Sequence, residues 1–485
     1  MADGADSEIL LPPILAVAIV TLMSLPLRSE TVAPSARLPH RAVLGATTLL
    51  GLLAGLLATG SLADTARARR GMVVAEERIA ADAGAAVLRD GGNAVDAAVA
   101  TAFALSVTHP AAGNLGGGGF LLYREPSGKA VAYDFRETAP ARAHPRMFLD
   151  DGVYHEARHH RQHLAVGVPG TVAGLHLAWT DAGSLPWERL LEPAIELADR
   201  GFVISPTLAL SLSNALPKLR VSPAALAQFS RDGQPYAPGE LLKQPDLAHS
   251  LRLIRDRGPR GFYHGEVAER LEQEMERHGG WITRADLAGY AAKRRPPVRG
   301  QYREYEVLSM PPPSSGGVVL LLMLNILEGT DPTQAGFGAP DTVHWLAEAM
   351  RRGFAERALH LGDPDFNPGM PVDRLISKEY AAELRRTIRP GRASVSATNR
   401  FTWPIESDAT THLSVVDAQR NAVALTYTLE ESYGSGIMAP GTGFLLNNEM
   451  GDFNAAPGLT TTNGLLGTAP KLASPRNRLL RSMST

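Results

Sequence analysis

Five glycines within residues 113–119 limit the folding of this chain more than any other part of its sequence. They follow residues 94–107, whose alanine and valine content predicts a closely packed helix, and they precede an apolar strand predicted over residues 120–123. A phosphate-binding loop needs a different order, in which a strand comes first and a helix follows the glycines. The glycines therefore predict a crowded backbone without room for Cβ atoms, in preference to a loop that contacts a ligand.

Helix and strand patterns lie on both sides of these glycines. Apolar residues recur at helical spacing over residues 74–88, which predicts a helix. Asn93 and Asp96 have the spacing of a weak capping box at the start of the next helix. Residues 130–135 alternate as a strand that ends at Arg136, where an arginine forms either a surface ion pair or a bidentate clamp on a carboxylate. Further helices are predicted over residues 190–197, 267–276 and 318–327.

A hairpin is predicted near residue 410, in the part of the chain that contains most of the candidate reactive side chains. Residues 409–417 and 422–429 read as two strands joined by a short turn. Thr410 starts the first strand, and Thr428 lies in the second strand, where its hydroxyl could reach Thr410. A further apolar strand is predicted from residue 443, with two carboxylates after it.

The composition excludes several kinds of function. The chain has 485 residues with 48 basic and 50 acidic side chains, a near balance that argues against nucleic-acid binding. It contains no cysteine, which removes disulfides, thiolate nucleophiles and cysteine-ligated metals. A covalent mechanism must therefore use Ser, Thr, Lys or a carboxylate.

The histidines do not have the spacing of a known metal motif. His159, His160 and His163 lie close to Arg158 and Arg161, and this basic composition predicts a solvated loop. The sequence therefore predicts neither a metal site nor another cofactor.

The N-terminal region differs from the rest of the chain. Residues 9–27 and 42–63 carry no charge, and the second run ends in Ser61-Leu62-Ala63, a pattern of small residues that signal peptidases read. We expect export with cleavage near Ala63, and thus a periplasmic or secreted protein. The alternative is a retained membrane anchor, since 22 uncharged residues are long enough to span a bilayer.

Seven segments in order resemble one enzyme family. The chain looks like a γ-glutamyltranspeptidase (glutathione hydrolase) proenzyme over residues 70–485. The matching segments are residues 91–98, 116–120, 134–137, 312–317, 361–364, 410–417 and 446–453. The resemblance implies a four-layer αββα N-terminal-nucleophile hydrolase, which is an α/β fold.

The resemblance also implies an activity and a set of roles. Members cut themselves before a threonine, here between Ala409 and Thr410, and Thr410 then attacks the γ-glutamyl bond of glutathione and related compounds. Water or an amino acid or dipeptide acceptor resolves the resulting ester. A free α-amine on Thr410, with a pKa of about 7.7–8.0, could accept the hydroxyl proton.

Further positions match family residues that orient the nucleophile and bind the substrate. Thr428 would orient Thr410, Arg136 would clamp the substrate α-carboxylate, and Glu449 and Asp452 would hold its α-ammonium. The expected partners are γ-glutamyl compounds, acceptors, and the protein's own two subunits, and no nucleic acid. The expected regions are residues 1–63 as the apolar segment, 64–409 as a large subunit and 410–485 as a small subunit.

Several positions depart from the family pattern. Glu430 replaces a usual Asn and adds a negative charge to the substrate site. Ser482 matches the second of two family serines, whereas Arg481 replaces the first, and Asn463 stands where many bacterial members have a tyrosine. The family continues beyond residue 485 through a glycine-rich oxyanion segment, so we expect a truncated chain with little activity. The alternatives are a glutaryl or cephalosporin-type acylase and an inactive remnant.

Overall fold

The computed structural model describes residues 66–144, 146–330, 336–395 and 410–453. A compact unit begins at Ala68. Within the described residues the strands are β1 (Met72–Ala75), β2 (Gly118–Arg124), β3 (Ala130–Phe135), β4 (Leu149–Asp150), β5 (Val153–Tyr154), β6 (Phe202–Val203), β7 (Leu241–Leu242), β8 (Lys293–Arg295), β9 (Val298–Tyr302), β10 (Tyr305–Ser309), β11 (Thr410–Val416) and β12 (Ala422–Thr428).

The helices lie mostly between β3 and β11 in the chain. They are α1 (Arg78–Arg89), α2 (Ala94–Thr108), α3 (Glu156–His160), α4 (Thr171–Ala182), α5 (Trp187–Arg200), α6 (Pro206–Leu219), α7 (Pro223–Phe229), α8 (Pro245–Arg257), α9 (Arg260–Tyr263), α10 (Glu266–His278), α11 (Arg284–Ala288), α12 (Gly316–Leu327), α13 (Pro340–His360), α14 (Val372–Leu375) and α15 (Lys378–Arg386). Among the described helices, none combines the length and apolar character that crossing a membrane requires. The two uncharged N-terminal runs lie outside the described residues.

A six-stranded antiparallel sheet organises the fold, with the strand order β1-β11-β12-β2-β3-β8. The hairpin of β11 and β12 lies between β1 and β2, which come from the beginning of the compact unit. Its register places Thr410 opposite Thr428, and Thr428 opposite Gly118. The two ends of the described chain therefore meet in the middle of one sheet.

One face of this sheet is covered by helices. Leu413 and Val415 on β11 and Leu425 and Tyr427 on β12 belong to the large apolar core. Helix α2 lies over both strands and also contacts α1, α4 and α5, so that every one of its residues is buried. The alanines that predicted this helix make it thin enough to fit between a sheet and other helices.

The opposite face is only partly covered by the described residues. Strand side chains alternate between the two faces of a sheet, so His412, Ser414 and Val416 lie on this side with Thr410. Val416 is exposed, whereas Phe120 and Ala132 on the neighbouring strands pack against Met310 after β10. The N-terminal end of β11 therefore presents polar side chains on a face that remains accessible.

Several sequence predictions are confirmed by these elements. The strand over residues 130–135 and both strands of the hairpin form, with bounds shifted by at most a residue or two. Asn93 and Asp96 form a capping box, in which the Asn93 side chain accepts from the N–H of Asp96 and the Asp96 carboxylate accepts from the N–H of Asn93. The three further helices also form within α5, α10 and α12.

Two predicted elements are wrong in part. The helix predicted from residue 74 begins only at Arg78, because Met72–Ala75 pairs with β11 as a strand. The strand predicted from residue 443 does not form, and this segment makes a single bridge between Leu446 and Gly116. Gly443 has φ +74, a conformation that interrupts a regular strand.

The glycine stretch is crowded, as the sequence predicts. A Cβ atom on Gly116 would lie 2.2 Å from the Leu445 carbonyl oxygen, and one on Gly117 would lie 2.1 Å from the Thr428 carbonyl oxygen. Backbone carbonyl oxygens in a packed interior cannot move far enough to admit a methyl group. Glycine therefore allows the loop to pack directly against the backbone at Leu445 and Thr428.

Helices α1 and α2 cross closely at Gly84, which gives a first testable prediction. A Cβ on Gly84 would lie 2.0 Å from Thr101 Oγ1 and 2.9 Å from the Ala97 carbonyl oxygen. Gly84→Ala should lower the free energy of unfolding by about 1–3 kcal/mol, measured by urea denaturation.

Gly369→Ala is the matched control, because Gly369 has no atom within 4 Å of the added methyl group and no positive φ. It should change the stability by less than about 0.5 kcal/mol. Equal effects of the two substitutions would contradict the close crossing at Gly84.

Candidate active site

Two threonine hydroxyls meet at the start of β11. Thr410 Oγ1 lies 3.4 Å from Thr428 Oγ1, and the Thr428 hydroxyl accepts the backbone N–H of Glu430 at 3.0 Å. Thr428 is buried, whereas Thr410 is exposed on the accessible face of the sheet. The Thr410 hydroxyl donates to Thr428 Oγ1, so this contact can orient the Thr410 oxygen.

The neighbouring threonine points away from this pair. Thr411 is buried on the helix-covered face, because successive strand residues alternate between the two faces. Thr410 and Thr411 are identical in chemistry, yet only Thr410 presents its hydroxyl beside Thr428. The geometry therefore distinguishes two residues that composition alone could not.

A buried arginine lies beyond the end of β3. Arg136 Nη2 contacts Asp452 Oδ2 at 2.8 Å and is also in direct contact with Glu449, and Nη1 lies 3.5 Å from Glu137 Oε2. The charge of Glu430 also acts on this guanidinium. We call these five residues, Arg136, Glu137, Glu430, Glu449 and Asp452, the Arg136 cluster. All five side chains are buried.

The register of the sheet brings the threonines and the cluster together. Arg136 directly follows Phe135, which pairs with Gly119, and Gly118 pairs with Thr428. A Cβ on Gly118 would lie 2.6 Å from Glu137 Oε2. The missing side chain at Gly118 thus makes room for a carboxylate of the cluster immediately beside Thr428.

Asn447 fixes the turn that carries Glu449. Its Oδ1 accepts from the backbone N–H groups of Gly167 at 2.8 Å and Glu449 at 3.0 Å, and its Nδ2 donates to the Gly116 carbonyl at 2.7 Å. These bonds join the 3-10 turn Glu449–Asp452 to the glycine stretch. The role of Asn447 was not predicted from the sequence, although an Asn-Asn pair between an apolar run and two carboxylates was a visible signal.

Asn448 joins three segments in the same way. Its Nδ2 donates to the His160 carbonyl at 3.0 Å, its Oδ1 accepts from the Glu431 N–H at 3.2 Å, and its own N–H donates to the Leu429 carbonyl at 3.0 Å. The turn, helix α3 and the end of β12 are therefore held in one arrangement. Both asparagines are completely buried, so their bonds are not weakened by competition with water.

The Arg136 cluster has an excess of negative charge. One guanidinium faces four carboxylates, which would leave three uncompensated negative charges if all were ionised. Burial alone would lower the pKa of Arg136, but Glu449 and the other three carboxylates raise it above its ordinary value, so it stays charged. Burial raises the pKa of Glu449 well above its ordinary value, against the opposing effect of Arg136. The site therefore favours an added positive charge.

One sequence prediction about the histidines is wrong. His159 and His160 are buried, because α3 packs against the turn that carries Glu449 and Asp452. His159 Nε2 donates to the Phe453 carbonyl at 3.1 Å, so Nδ1 accepts from the Tyr154 hydroxyl at 2.9 Å. Burial, with a further effect of His160, lowers the pKa of His159 to about 3.

His163 is likewise not free in solvent. Its Nε2 lies 2.9 Å from Glu274 Oε1, and its ring stacks on that of His278. The basic composition predicted a solvated loop, whereas all three histidines are packed. Local composition could not predict this packing, because each histidine has a partner far along the chain.

One group of side chains has the chemistry of a cation site. Ligand atoms of His160, Glu430 and Glu431 all lie within 4.8 Å of one another. Lys218 Nζ already supplies a positive charge there, at 2.8 Å from Glu431 Oε2. We therefore interpret the group as part of the charge balance of the site.

Some predicted site residues cannot be placed. Ser482, with its neighbour Arg481, and Ala409 before the expected cleavage point lie outside the described residues. Of the other predicted residues, Thr410 and Thr428 meet each other, and Arg136, Glu430, Glu449 and Asp452 form the cluster.

An exposed threonine at a strand start thus lies beside a buried charged cluster on a helix-covered antiparallel sheet. The sequence profile of the family described as gamma-glutamyltranspeptidase matches residues 80–485. The chain therefore belongs to the gamma-glutamyltranspeptidase family, as its sequence motifs indicated.

Individual relatives agree with this assignment. The chain is 46% identical over 425 residues to the glutathione hydrolase proenzyme of Escherichia coli K12, which covers 86% of this chain and 73% of that protein. It resembles the crystal structure of Helicobacter pylori gamma-glutamyltranspeptidase with a TM-score of 0.67 and 43% identity, over 69% of this chain and 96% of the other. The predicted α/β N-terminal-nucleophile fold class is confirmed by this likeness.

An acylase is also a close relative. The chain is 42% identical over 402 residues to the acylase ACY 1 proenzyme of Pseudomonas sp. strain SE83, which covers 80% of this chain and 70% of that protein. The alternative considered from the sequence therefore has a counterpart among the relatives.

The buried ion pairs of Arg136 give a second prediction. Arg136→Gln should lower the free energy of unfolding by about 3–5 kcal/mol, because it leaves buried carboxylates without their cation. Urea denaturation measures this change.

Arg294→Gln is the matched control, since Arg294 pairs with Asp181 at 2.6 Å with its own side chain 53% exposed. Its loss should cost less than about 1 kcal/mol. A small effect of Arg136→Gln would contradict the view that the cluster depends on its guanidinium.

The buried His159 gives a prediction about pH. The pKa is about 3 in the folded protein and 6.5 in an unfolded chain, so the unfolded state binds the proton first as the pH falls. The stability contributed by neutral His159 is complete above pH 6.5 and is lost progressively towards pH 3.

Between pH 7.5 and 5.0 this loss should amount to about 2 kcal/mol of unfolding free energy. His159→Gln should lack this part of the pH dependence when both proteins are denatured with urea. An equal pH dependence in the two proteins would show that His159 does not carry it.

Proposed function

We propose that this protein is a γ-glutamyl hydrolase and transferase that cleaves the γ-glutamyl bond of glutathione and related compounds. The observation that carries the proposal is the hydroxyl pair of Thr410 and Thr428 beside the buried Arg136 cluster, in a chain of the gamma-glutamyltranspeptidase family. The names of the relatives, glutathione hydrolase and γ-glutamyltranspeptidase, support the same chemistry.

Thr410 acts first on its own chain in this proposal. Its hydroxyl attacks the carbonyl of Ala409, the peptide becomes an ester, and water releases the preceding segment. Thr410 is then the first residue of a new chain, and its α-amine can take up the hydroxyl proton. The mature hydroxyl attacks the γ-glutamyl carbonyl, the amine portion leaves with a proton, and a γ-glutamyl ester remains until water or an acceptor amine replaces it.

The sheet explains why the two pieces would stay together. Strand β11 pairs with β1 on one side and with β12 on the other, and β12 pairs with β2. A cut before Thr410 would break one covalent bond but none of these strand pairs. This supports a mature protein of two associated subunits, residues 64–409 and 410–485.

The substrate head group fits the cluster through exchange of ion pairs. Arg136 contacts Glu449 and Asp452 directly, although the arginine was predicted to bind the α-carboxylate of the substrate and the two acidic residues its α-ammonium. An α-carboxylate could replace one contact of Arg136 while the α-ammonium takes up the released carboxylate. The number of buried ion pairs would not decrease, so a zwitterion could enter without leaving an unpaired charge.

An acylase activity on glutaryl or cephalosporin side chains is the second candidate. The likeness to acylase ACY 1 favours it. A glutaryl group has no α-ammonium, however, and so cannot offset the surplus of carboxylates around Arg136. The charge of the cluster therefore favours γ-glutamyl substrates.

We also propose that the protein acts outside the cytoplasm, in the periplasm or as a secreted enzyme. The support is the uncharged run that ends in Ser61-Leu62-Ala63. Recovery of the protein from periplasmic fractions of host cells, with a new N-terminus near residue 64, is the expected result. Recovery of intact Met1 from the cytosol would contradict this proposal.

Three threonine variants test the nucleophile. Thr410→Val should remain one chain and release no p-nitroaniline from γ-glutamyl-p-nitroanilide, because it keeps the side-chain volume but lacks the attacking oxygen. Thr410→Ser should still be cut. Gel electrophoresis and N-terminal sequencing of the smaller fragment, expected to begin Thr410-Thr411-His412 in the wild type, measure the cleavage.

Thr411→Val is the matched control, since Thr411 is buried on the other face of β11. It should still be cut at least in part. Cleavage of Thr410→Val would contradict the assignment of Thr410.

A further inference from the structure

A buried histidine contacts the Arg136 cluster from an element that carries none of the predicted site residues. His160 ends helix α3, and its Nδ1 lies 3.9 Å from Glu430 Oε1. Both side chains are buried, with 4% or less of their surface exposed. Asn448 fixes the backbone of His160, through its bond to the carbonyl, and so holds the imidazole at this place.

The turn with Glu449 and Asp452 passes directly over this contact. A Cβ on Gly451 would lie 2.5 Å from His160 Nδ1 and 3.1 Å from Glu430 Oε1. Only a glycine allows the turn to come this close. His160 and Glu430 therefore lie immediately behind the two carboxylates proposed to hold the substrate α-ammonium.

The backbone directs Glu430 into this position at a conformational cost. Its φ is +82, a region that residues with a Cβ rarely adopt, and its N–H donates to the Thr428 hydroxyl. Such strain persists where the surrounding structure holds it and is typical of functional sites. The same residue thus contacts the Thr428 hydroxyl through its backbone and the Arg136 cluster through its charge.

Many charged groups face this pair, and they set the direction of any pH effect. Burial raises the pKa of Glu449 and favours its protonated form, whereas the surrounding carboxylates hold Arg136 in its charged form. Lys218 pairs with Glu431, and His159 is neutral because its pKa is about 3. The groups that interact with His160 or Glu430 include His159, Tyr154, Glu431, Arg136 and Glu449. One shell further out, Lys218 pairs with Glu431, and Glu137 and Asp452 pair with Arg136. Histidine is the side chain whose ordinary pKa places its change of charge between about pH 5 and 8.

We propose that His160 sets the selectivity of this site for ligands with an α-ammonium group, by controlling the charge that Glu430 presents. The proposal rests on the proposed γ-glutamyl function. With neutral His160, the Glu430 carboxylate adds attraction for the ammonium group and repulsion for a ligand that carries only carboxylates. With protonated His160, the two charges offset each other and this discrimination weakens.

Two probes isolate this effect, because they differ only in the α-ammonium group. L-glutamate and glutarate have the same carbon chain and two carboxylates each. Isothermal titration of the wild-type protein with each probe gives a selectivity ratio, the Kd of glutarate divided by the Kd of L-glutamate. The ratio should rise by about threefold to tenfold from pH 6.0 to pH 8.0, as the imidazole loses its proton.

Two variants that each remove one ionisable group separate the roles of His160 and Glu430. Glu430→Gln should lower the ratio at pH 8.0 by about tenfold and remove its pH dependence, because no charge remains for His160 to offset. His160→Gln should keep the high ratio of pH 8.0 at both pH values. The double variant should match Glu430→Gln, since the proposed effect of His160 on the ratio passes through the charge of Glu430.

His249→Gln is the control, because His249 lies on α8 with its side chain 48% exposed and pairs with Glu266. It should reproduce the wild-type ratio at both pH values. Melting temperatures of all variants identify any that fail to fold, and His160→Asn and Glu430→Asn then provide a second set.

The outcomes distinguish this inference from the proposed function. No binding of L-glutamate to the wild type would overturn the proposed function and the inference with it. Binding with a ratio unchanged in Glu430→Gln would overturn the inference alone. A pH dependence that persists in His160→Gln would assign the titration to Glu449 and likewise overturn the role of His160.

Discussion

The buried guanidinium of Arg136 is the interaction on which the rest of the site depends. It is the one positive charge of a cluster with four carboxylates, drawn from the end of β3, the end of β12 and the turn after residue 448. Without it, these segments would repel one another in a region that water does not reach. The glycines at 116–119 and the two asparagines serve the same arrangement, because they allow and fix the approach of these segments.

This arrangement also couples binding to chemistry. The residue that adds the fourth carboxylate, Glu430, donates its backbone N–H to the hydroxyl that lies beside Thr410. A displacement of the cluster would therefore move the hydrogen-bond partner of the proposed nucleophile. The antiparallel register from Thr410 through Thr428 to Gly118 limits such displacement, since strand pairs on both sides hold β12 in place.

The sequence predicted those elements whose signal is local. Alternation over residues 130–135 and 409–429 identified the strands, and Asn93 with Asp96 identified a helix start. Strand β1 was missed because a strand this short carries little periodic signal, and its pairing partner β11 lies at the far end of the described chain.

The dependence on local signals also explains which parts of the site the sequence could not predict. The motifs supplied Thr410, Thr428, Arg136, Glu449 and Asp452, but not the direct contact between the arginine and the two carboxylates. Nor did they supply His160, whose neighbours in the chain are basic and whose partner in space is Glu430. Local composition did not predict the burial of these polar side chains, because burial depends on the tertiary arrangement.

The two adjacent threonines of β11 show that a duplicated residue need not provide a reserve. The pleat turns Thr411 towards α2 and the apolar core, where no substrate could reach its hydroxyl. A shift of the strand by a single position would bring Thr411 to the accessible face, but it would also turn Leu413 and Val415 out of the core. The Thr411 hydroxyl therefore cannot replace that of Thr410. The strand tolerates displacement only by an even number of residues.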